Sequence, residues 1–134
     1  MARLIVGGDV LRVHLWLFGR LGAVVPGDLW FPLTAVRSAR VTEKPWSELR
    51  GERSPGTCAR GVVALGTFKH LYGRDFVALY GRGPGVVVEL DGMRFMRLLV
   101  SRQDAEQVVE QIDELTAETK YWAQQQAEEE EAGS

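Results

Sequence analysis

The first hundred residues carry the hydrophobic pattern of short strands and turns, and a helical period follows only near the C-terminus. Leu11, Val13 and Leu15 alternate with Arg12 and His14, as in a half-buried antiparallel strand. From Asp104 to about Trp122, apolar residues recur instead at spacings of three and four, which is the period of an amphipathic helix. The pattern therefore predicts a mainly β protein with one C-terminal α-helix.

The predicted strands follow one another through short turns. They lie at residues 3–6, 11–15, 29–31, 36–42, 61–71, 75–80, 85–90 and 94–100. Residues 16–24 are ambiguous, because Gly19 and Gly22 argue against more than one helical turn. Residues 44–60 contain two prolines and two glycines and are predicted to form a long loop.

The clearest turn is Asp91-Gly92, which favours a two-residue hairpin with positive φ at both positions. In that register Glu89 pairs with Arg94, so opposite charges face each other on the outer side. Val88 then pairs with Phe95 on the inner side. We therefore expect a tight hairpin between the last two strands.

The start of the helix carries a signal resembling a capping box, in which Ser101 is followed three residues later by Asp104. The apolar stripe of the helix is predicted to be core that closes a barrel, and its members are Ala105, Val108, Ile112, Leu115, Thr119 and Trp122. The glutamine- and glutamate-rich residues after it are expected to be disordered. This divides the chain into one domain over residues 1–122 and a disordered acidic tail over residues 123–134.

Composition places the chain among ordinary globular proteins, with 134 residues, 46% hydrophobic and 25% charged. Its single cysteine, Cys58, has no partner for an internal disulfide, which favours a reducing compartment. Neither a signal peptide nor an apolar run of membrane-spanning length is found, so a cytoplasmic protein is expected. The net charge of −2 combines a basic body (+7 over residues 1–103) with an acidic end (−9 over residues 104–134).

Catalytic and metal-binding patterns are weak. Two histidines, His14 and His70, stand at strand positions, and Asp75 or Asp9 is the carboxylate that could orient one of them. No nucleophile elbow accompanies them, and two histidines with Cys58 lack the short ligand spacing of a zinc site. The glycine-rich segments match no phosphate-binding fingerprint. We therefore expect no enzyme, no metal and no cofactor.

The arrangement resembles the pleckstrin-homology (PH) superfold, and more closely the bacterial PH-like domains of short proteins with unassigned function. The residues that carry the likeness are Pro32 to Val36 with the strand to Val41, Arg53 to Thr57 with Gly61, Gly66-Thr67-Phe68, Asp75-Phe76, and Val86 to Leu90. The resemblance covers residues 2–118. It implies a seven-stranded, strongly bent sheet or partly open barrel capped by the C-terminal helix. The Lys/Arg cluster of phosphoinositide-binding members is absent from the first strand pair, so specific inositol-phosphate binding is not expected.

Surface recognition is then the remaining function. A basic and aromatic patch is predicted from Arg12, Trp30, Arg37, Arg40, Trp46, Arg50, Arg53 and Arg60. The alternative is that arginine reflects compositional bias and the tryptophans fill the barrel. We expect a non-enzymatic PH-like protein-interaction or scaffolding module whose partner is a protein or a second copy. Peripheral binding to anionic membranes through the arginine and tryptophan patch is the alternative function, and nucleic acid ranks last.

Overall fold

Nine strands, two 3₁₀ turns and one α-helix lie in the part of the chain that the computed structural model describes, residues 2–7, 10–15 and 29–132. The strands are β1 (Ala2–Gly7), β2 (Val10–Leu15), β3 (Leu29–Pro32), β4 (Val36–Thr42), β5 (Glu52–Ala59), β6 (Val63–His70), β7 (Gly73–Tyr80), β8 (Gly85–Leu90) and β9 (Arg97–Ser101). The 3₁₀ turns span Leu33–Ala35 and Pro45–Glu48, and the helix, α1, spans Ala105–Ala132. A mainly β protein with one C-terminal helix is thus confirmed. The ambiguous segment 16–24 lies outside the described residues.

The strands form two sheets. β1, β2 and β3 make a three-stranded antiparallel sheet, and the other six strands make a mixed sheet in the order β4-β8-β9-β7-β6-β5. Neighbours in the larger sheet are antiparallel except β7 and β9, which are parallel. β4 and β5 form its two edges, so the sheet is not closed.

The predicted two-residue hairpin between β8 and β9 is wrong. Glu89 pairs with Arg97 and Val88 with Leu98, so the connection spans residues 91–96. Gly92 alone in this connection has positive φ, at 68°. The reason is Phe95, which is 1% exposed and packs edge-on against Phe31 and Phe76, with ring centroids 6.4 and 5.7 Å apart. Burying that ring requires the longer connection, and the charge pair that we expected with Arg94 forms with Arg97 instead.

The long loop predicted over residues 44–60 is also wrong. Its first part is the 3₁₀ turn Pro45–Glu48, and its second part is strand β5. Pro55 lies where the pairing of β5 with β6 shifts register, between Ser54 and Gly56. Proline lacks a backbone N–H and is tolerated at such a bulge on an edge strand.

The six-stranded sheet is apolar on both faces, which gives the protein two cores. The main core lies between one face, β2, β3 and α1, and is formed by Leu11, Phe31, Leu33, Val36, Leu65, Phe76, Ala78, Val86, Val88, Leu90, Phe95, Leu98, Val100, Ala105, Val108 and Ile112. The second core lies on the other face and is formed by Ala64, Phe68, Val77, Leu79, Val87 and Leu99. Trp46 and Leu49 cover the second core, so the segment after β4 acts as its lid.

The first half of α1 packs on the protein as predicted, with Ala105, Val108 and Ile112 buried. Its end was placed too early, because the helix continues beyond Trp122 to Ala132. Trp122 is 59% exposed and is not part of the core. Glutamine, alanine and glutamate are good helix formers, which accounts for the extension. The division into a domain over 1–122 and an acidic tail over 123–134 stays a prediction.

The capping box expected before α1 is not formed. Ser101 ends β9, and its hydroxyl accepts a hydrogen bond from the Tyr80 amide at 3.0 Å. The Asp104 carboxylate instead accepts two hydrogen bonds from Arg102, at 2.8 and 2.9 Å. Those bonds hold the pKa of the Asp104 carboxyl below its usual range.

Candidate interaction surface

A row of charged residues crosses one end of the sheet face that carries the second core. Glu89 on β8 pairs with Arg97 on β9, and Arg97 pairs with Asp75 on β7. Residues paired across neighbouring strands point to the same face. Two residues of the segment that carries Trp46 and Leu49 contact this row. Glu48 contacts Arg97, and Arg50 contacts Asp75.

Asp75 is the most buried charged residue of the row, with 2% of its side chain exposed. Arg50 donates to both of its carboxylate oxygens, Nε at 2.8 Å and Nη2 at 2.7 Å. Such two-point pairing of a guanidinium with a carboxylate is a strong, oriented interaction. The hydrogen bonds raise the pKa of the Arg50 guanidinium above its ordinary value. Arg50 thereby neutralises a carboxylate that has almost no contact with water.

His70 completes this cluster. The Tyr72 amide donates to His70 Nδ1 at 3.2 Å, so Nε2 carries the hydrogen and donates to Asp75 Oδ1 at 3.0 Å. Of the two carboxylates considered for the histidines, Asp75 is therefore beside His70. Both ring nitrogens are already engaged, and neither is placed to take a proton from a nucleophile. The cluster anchors the turn between β6 and β7.

A second group of ion pairs lies beside it. Arg97 contacts Glu89 at 2.7 Å and Glu48 at 3.7 Å. Arg40 makes two hydrogen bonds to Glu48, at 2.6 and 3.1 Å. The bonds from Arg40 hold the pKa of the Glu48 carboxyl below its usual range, and they raise that of the Arg40 guanidinium. Each of these charges is satisfied within the protein.

The residues of the predicted arginine and tryptophan patch lie in different environments. Arg40 and Arg50 are occupied by Glu48 and Asp75. Trp46 donates its indole N–H to the Gly81 carbonyl at 2.7 Å and covers the second core, which agrees with the tryptophan-filling alternative. Arg37 lies 3.4 Å from Asp91 with both side chains largely exposed.

The other four members of the patch are placed only in part. Arg60 is exposed in the turn between β5 and β6. Arg12 and Trp30 face each other in the pairing of β2 with β3, and Arg53 pairs with Phe68. The side chains of Arg12, Trp30 and Arg53, and that of His14, are outside the described parts of the chain. A binding role for the eight-residue set stays a prediction.

An apolar surface that the sequence analysis missed lies at the end of the larger sheet where β7 and β9 begin. Leu71 is 90% exposed and Tyr72 is 76% exposed, in the turn between β6 and β7. The Met96 amide donates to the Arg74 carbonyl at 2.7 Å, which holds the 91–96 connection beside that turn. Met93 and Met96 are each 37% exposed. The Met96 side chain lies against Gly73, directly after the turn, and we name Leu71, Tyr72 and Met96 the apolar tip.

Three exposed cations accompany the apolar tip: Lys69, Arg74 and Arg94. Lys69 and Arg74 face each other across the β6–β7 pair, and Arg94 lies 5.1 Å from the Phe95 ring centroid. We name these three residues the basic collar. The sequence carried one signal for the tip, since Leu71 and Tyr72 occupy a turn directly before Gly73.

A cavity of about 260 Å³ opens beside the start of α1. Three of its lining residues are acids, Glu43, Asp104 and Glu106. Such a rim disfavours an anionic ligand. Among the described residues, no cluster of three or more His, Cys, Asp and Glu side chains is placed to hold a metal ion.

The single α-helix in the described ranges, α1, is too polar to cross a bilayer. Comparison of the chain with protein-family models, with curated proteins and with solved structures found no match.

Proposed function

We propose that the protein is a non-enzymatic interaction module on a PH-like frame, and that it binds its partner through the apolar tip. The observation that carries the proposal is the exposure of Leu71 and Tyr72, at 90% and 76%, beside the partly exposed Met96. Tyrosine and methionine are enriched at interfaces, where their large side chains become buried on binding. Contiguous exposed apolar residues mark interaction sites more often than scattered ones do.

The charged residues of the sheet face support binding at the tip rather than at the arginine patch. Arg50 and Arg40 already hold Asp75 and Glu48, so recruiting them to an external anion requires breaking those pairs. Removing Arg50 from Asp75 takes the cationic partner from a buried carboxylate, which is costly. An open, mainly antiparallel sheet that precedes one closing helix supports the proposal of a PH-like frame.

The absence of catalysis is supported by the surroundings of His70. Its Nδ1 accepts from the Tyr72 amide and its Nε2 is bonded to Asp75. A histidine that serves as a general base needs a free nitrogen within hydrogen-bond reach of the nucleophile. In this arrangement His70 fixes the turn that presents the apolar tip.

A photo-crosslinking residue at position 71 tests the proposal, with position 62 as the matched control. Val62 is 66% exposed and lies at the opposite end of β6. In cells, we expect crosslinks to a protein, a second copy or lipid from position 71 and not from position 62. Equal yields from the two positions contradict binding through the tip. Hydrolase turnover that is lost in His70→Ala contradicts a non-enzymatic role.

A further inference from the structure

The basic collar gives the apolar tip an unbalanced positive charge. Lys69, Arg74 and Arg94 are exposed and form no ion pair with another described residue. The acid nearest in register is Glu52, which pairs with Lys69 on the edge strand β5. Nearby Asp91 is matched with Arg37. The exposed apolar side chains of the turn are therefore flanked by Lys69 and Arg74, with Arg94 in the neighbouring connection.

Two backbone amides of the apolar tip, those of Tyr72 and Met96, are hydrogen-bonded within the protein. The Tyr72 amide, at the point where the turn projects, donates to His70 Nδ1 at 3.2 Å. The Met96 amide donates to the Arg74 carbonyl at 2.7 Å. Inserting an unsatisfied amide among lipid acyl chains costs several kcal/mol, and an internally bonded amide avoids that cost. A partner protein sets no such requirement, since it can supply hydrogen bonds of its own.

We infer that the partner of the apolar tip is the surface of an anionic lipid bilayer. Leu71 and Tyr72 enter the boundary between headgroups and acyl chains, with Met96 beside them. The basic collar stays at the level of the negatively charged headgroups. This arrangement is typical of peripheral attachment, in which shallow apolar insertion and electrostatic attraction add together. The inference rests on the proposed interaction function and names its partner.

The site differs from the arginine and tryptophan patch, and the chain offers matched variants that separate the two. Arg74 and Arg60 are both exposed, yet Arg74 belongs to the basic collar and Arg60 lies at the far end of β6. Likewise Leu71 and Val62 are exposed apolar residues at opposite ends of that strand. Neither member of either pair is buried, so the substitutions leave folding intact, which thermal unfolding of each variant verifies.

The test is sedimentation with phosphatidylcholine vesicles that either contain or lack phosphatidylserine. The wild-type protein should bind the phosphatidylserine vesicles, and binding should weaken as salt screens the charges. Arg74→Ala should reduce the affinity roughly fivefold, the effect of one cation near the surface. Leu71→Asp should reduce it further, whereas Arg60→Ala and Val62→Asp should leave it unchanged. Loss of binding with Arg60→Ala and not with Arg74→Ala overturns the tip and favours the arginine patch.

A polarity-sensitive dye on Leu71→Cys gives an independent readout of insertion, and the same dye on Val62→Cys is its control; both variants carry Cys58→Ser. With anionic vesicles, we expect the emission of the dye to shift to the blue at position 71 and to stay unchanged at position 62. If the wild-type protein sediments with neither vesicle type at low salt, the membrane inference is overturned. Protein crosslinks from position 71 would in that case still support the interaction function, whereas their absence as well would overturn both.

Discussion

Arg50 holds the Asp75 carboxylate with two hydrogen bonds, of 2.8 and 2.7 Å. The two residues are 25 positions apart in sequence, so this pair ties the segment before β5 to β7. Asp75 is 2% exposed, and its charge is compensated almost entirely from within the protein.

Replacing Arg50 by methionine should destabilise the protein by about 3–5 kcal/mol, because a buried carboxylate loses its cationic partner and keeps the hydrogen bond from His70. Urea unfolding measures the change. The control is Arg37→Met, which breaks an exposed pair with Asp91 and should cost about 1 kcal/mol or less. Equal losses in the two variants would show that Arg50 is not a structural clamp.

Gly51 should not tolerate alanine. Its φ is +74°, and a Cβ placed there would overlap the backbone carbonyl oxygen of Lys69. Gly92 is the matched control, because its φ is +68° and a Cβ would meet no atom within 4 Å. We expect Gly92→Ala to cost about 1–2 kcal/mol, the price of left-handed backbone, and Gly51→Ala about 3 kcal/mol or more. Thermal or urea unfolding compares them, and similar values would contradict the close approach of β6.

Stability should fall at alkaline pH through Tyr80. Burial raises the pKa of the Tyr80 hydroxyl from 10.0 to about 12, so the folded state keeps a proton that the unfolded state releases. The contribution is present in full below pH 10.0 and is lost as the pH rises to about 12. In Tyr80→Phe, the unfolding free energy should decline less steeply across that window. If the unfolding free energies of the wild type and Tyr80→Phe declined equally with pH, the Tyr80 hydroxyl would be solvated in the folded state.

Removing residues 123–134 should shorten the helix without weakening the fold. The retained part of α1 includes Lys120, which donates to the Val36 carbonyl at 2.8 Å. Far-ultraviolet circular dichroism should lose helical signal, while the unfolding free energy stays within about 0.5 kcal/mol. Lys120→Met, which removes a contact to the body, should cost about 1 kcal/mol. A truncation more damaging than Lys120→Met would reveal packing beyond Trp122.

Local patterns predicted the elements that depend on local physics. The strand expected at residues 36–42 is β4 with the same bounds. The helix was predicted from its apolar stripe, and only its end was misplaced. β5 was missed because proline and glycine read as a loop until a distant strand, β6, supplies the pairing that tolerates a bulge.

Features fixed by distant residues could not be predicted. The register of β9 depends on Phe95 reaching Phe31 and Phe76, and no rule for neighbouring pairs contains those contacts. Arg40 and Arg50 looked like free surface charges because their partners, Glu48 and Asp75, meet them only after folding. The apolar tip could not be predicted without knowing that the turn at Leu71 and the 91–96 connection lie side by side.

The position of β9 carries a consequence for how the protein is made. β9 is the last strand in the chain, yet it lies between β8 and β7 near the middle of the larger sheet. Until residues 97–101 have left the ribosome, β4 with β8 and β5 with β6 and β7 are separate halves with no strand to join them. Pairings this distant in sequence fold slowly, and their unpaired edges are exposed in the meantime. The unpaired strand edges in the first two thirds of the nascent chain are therefore covered only once its final third has been synthesised.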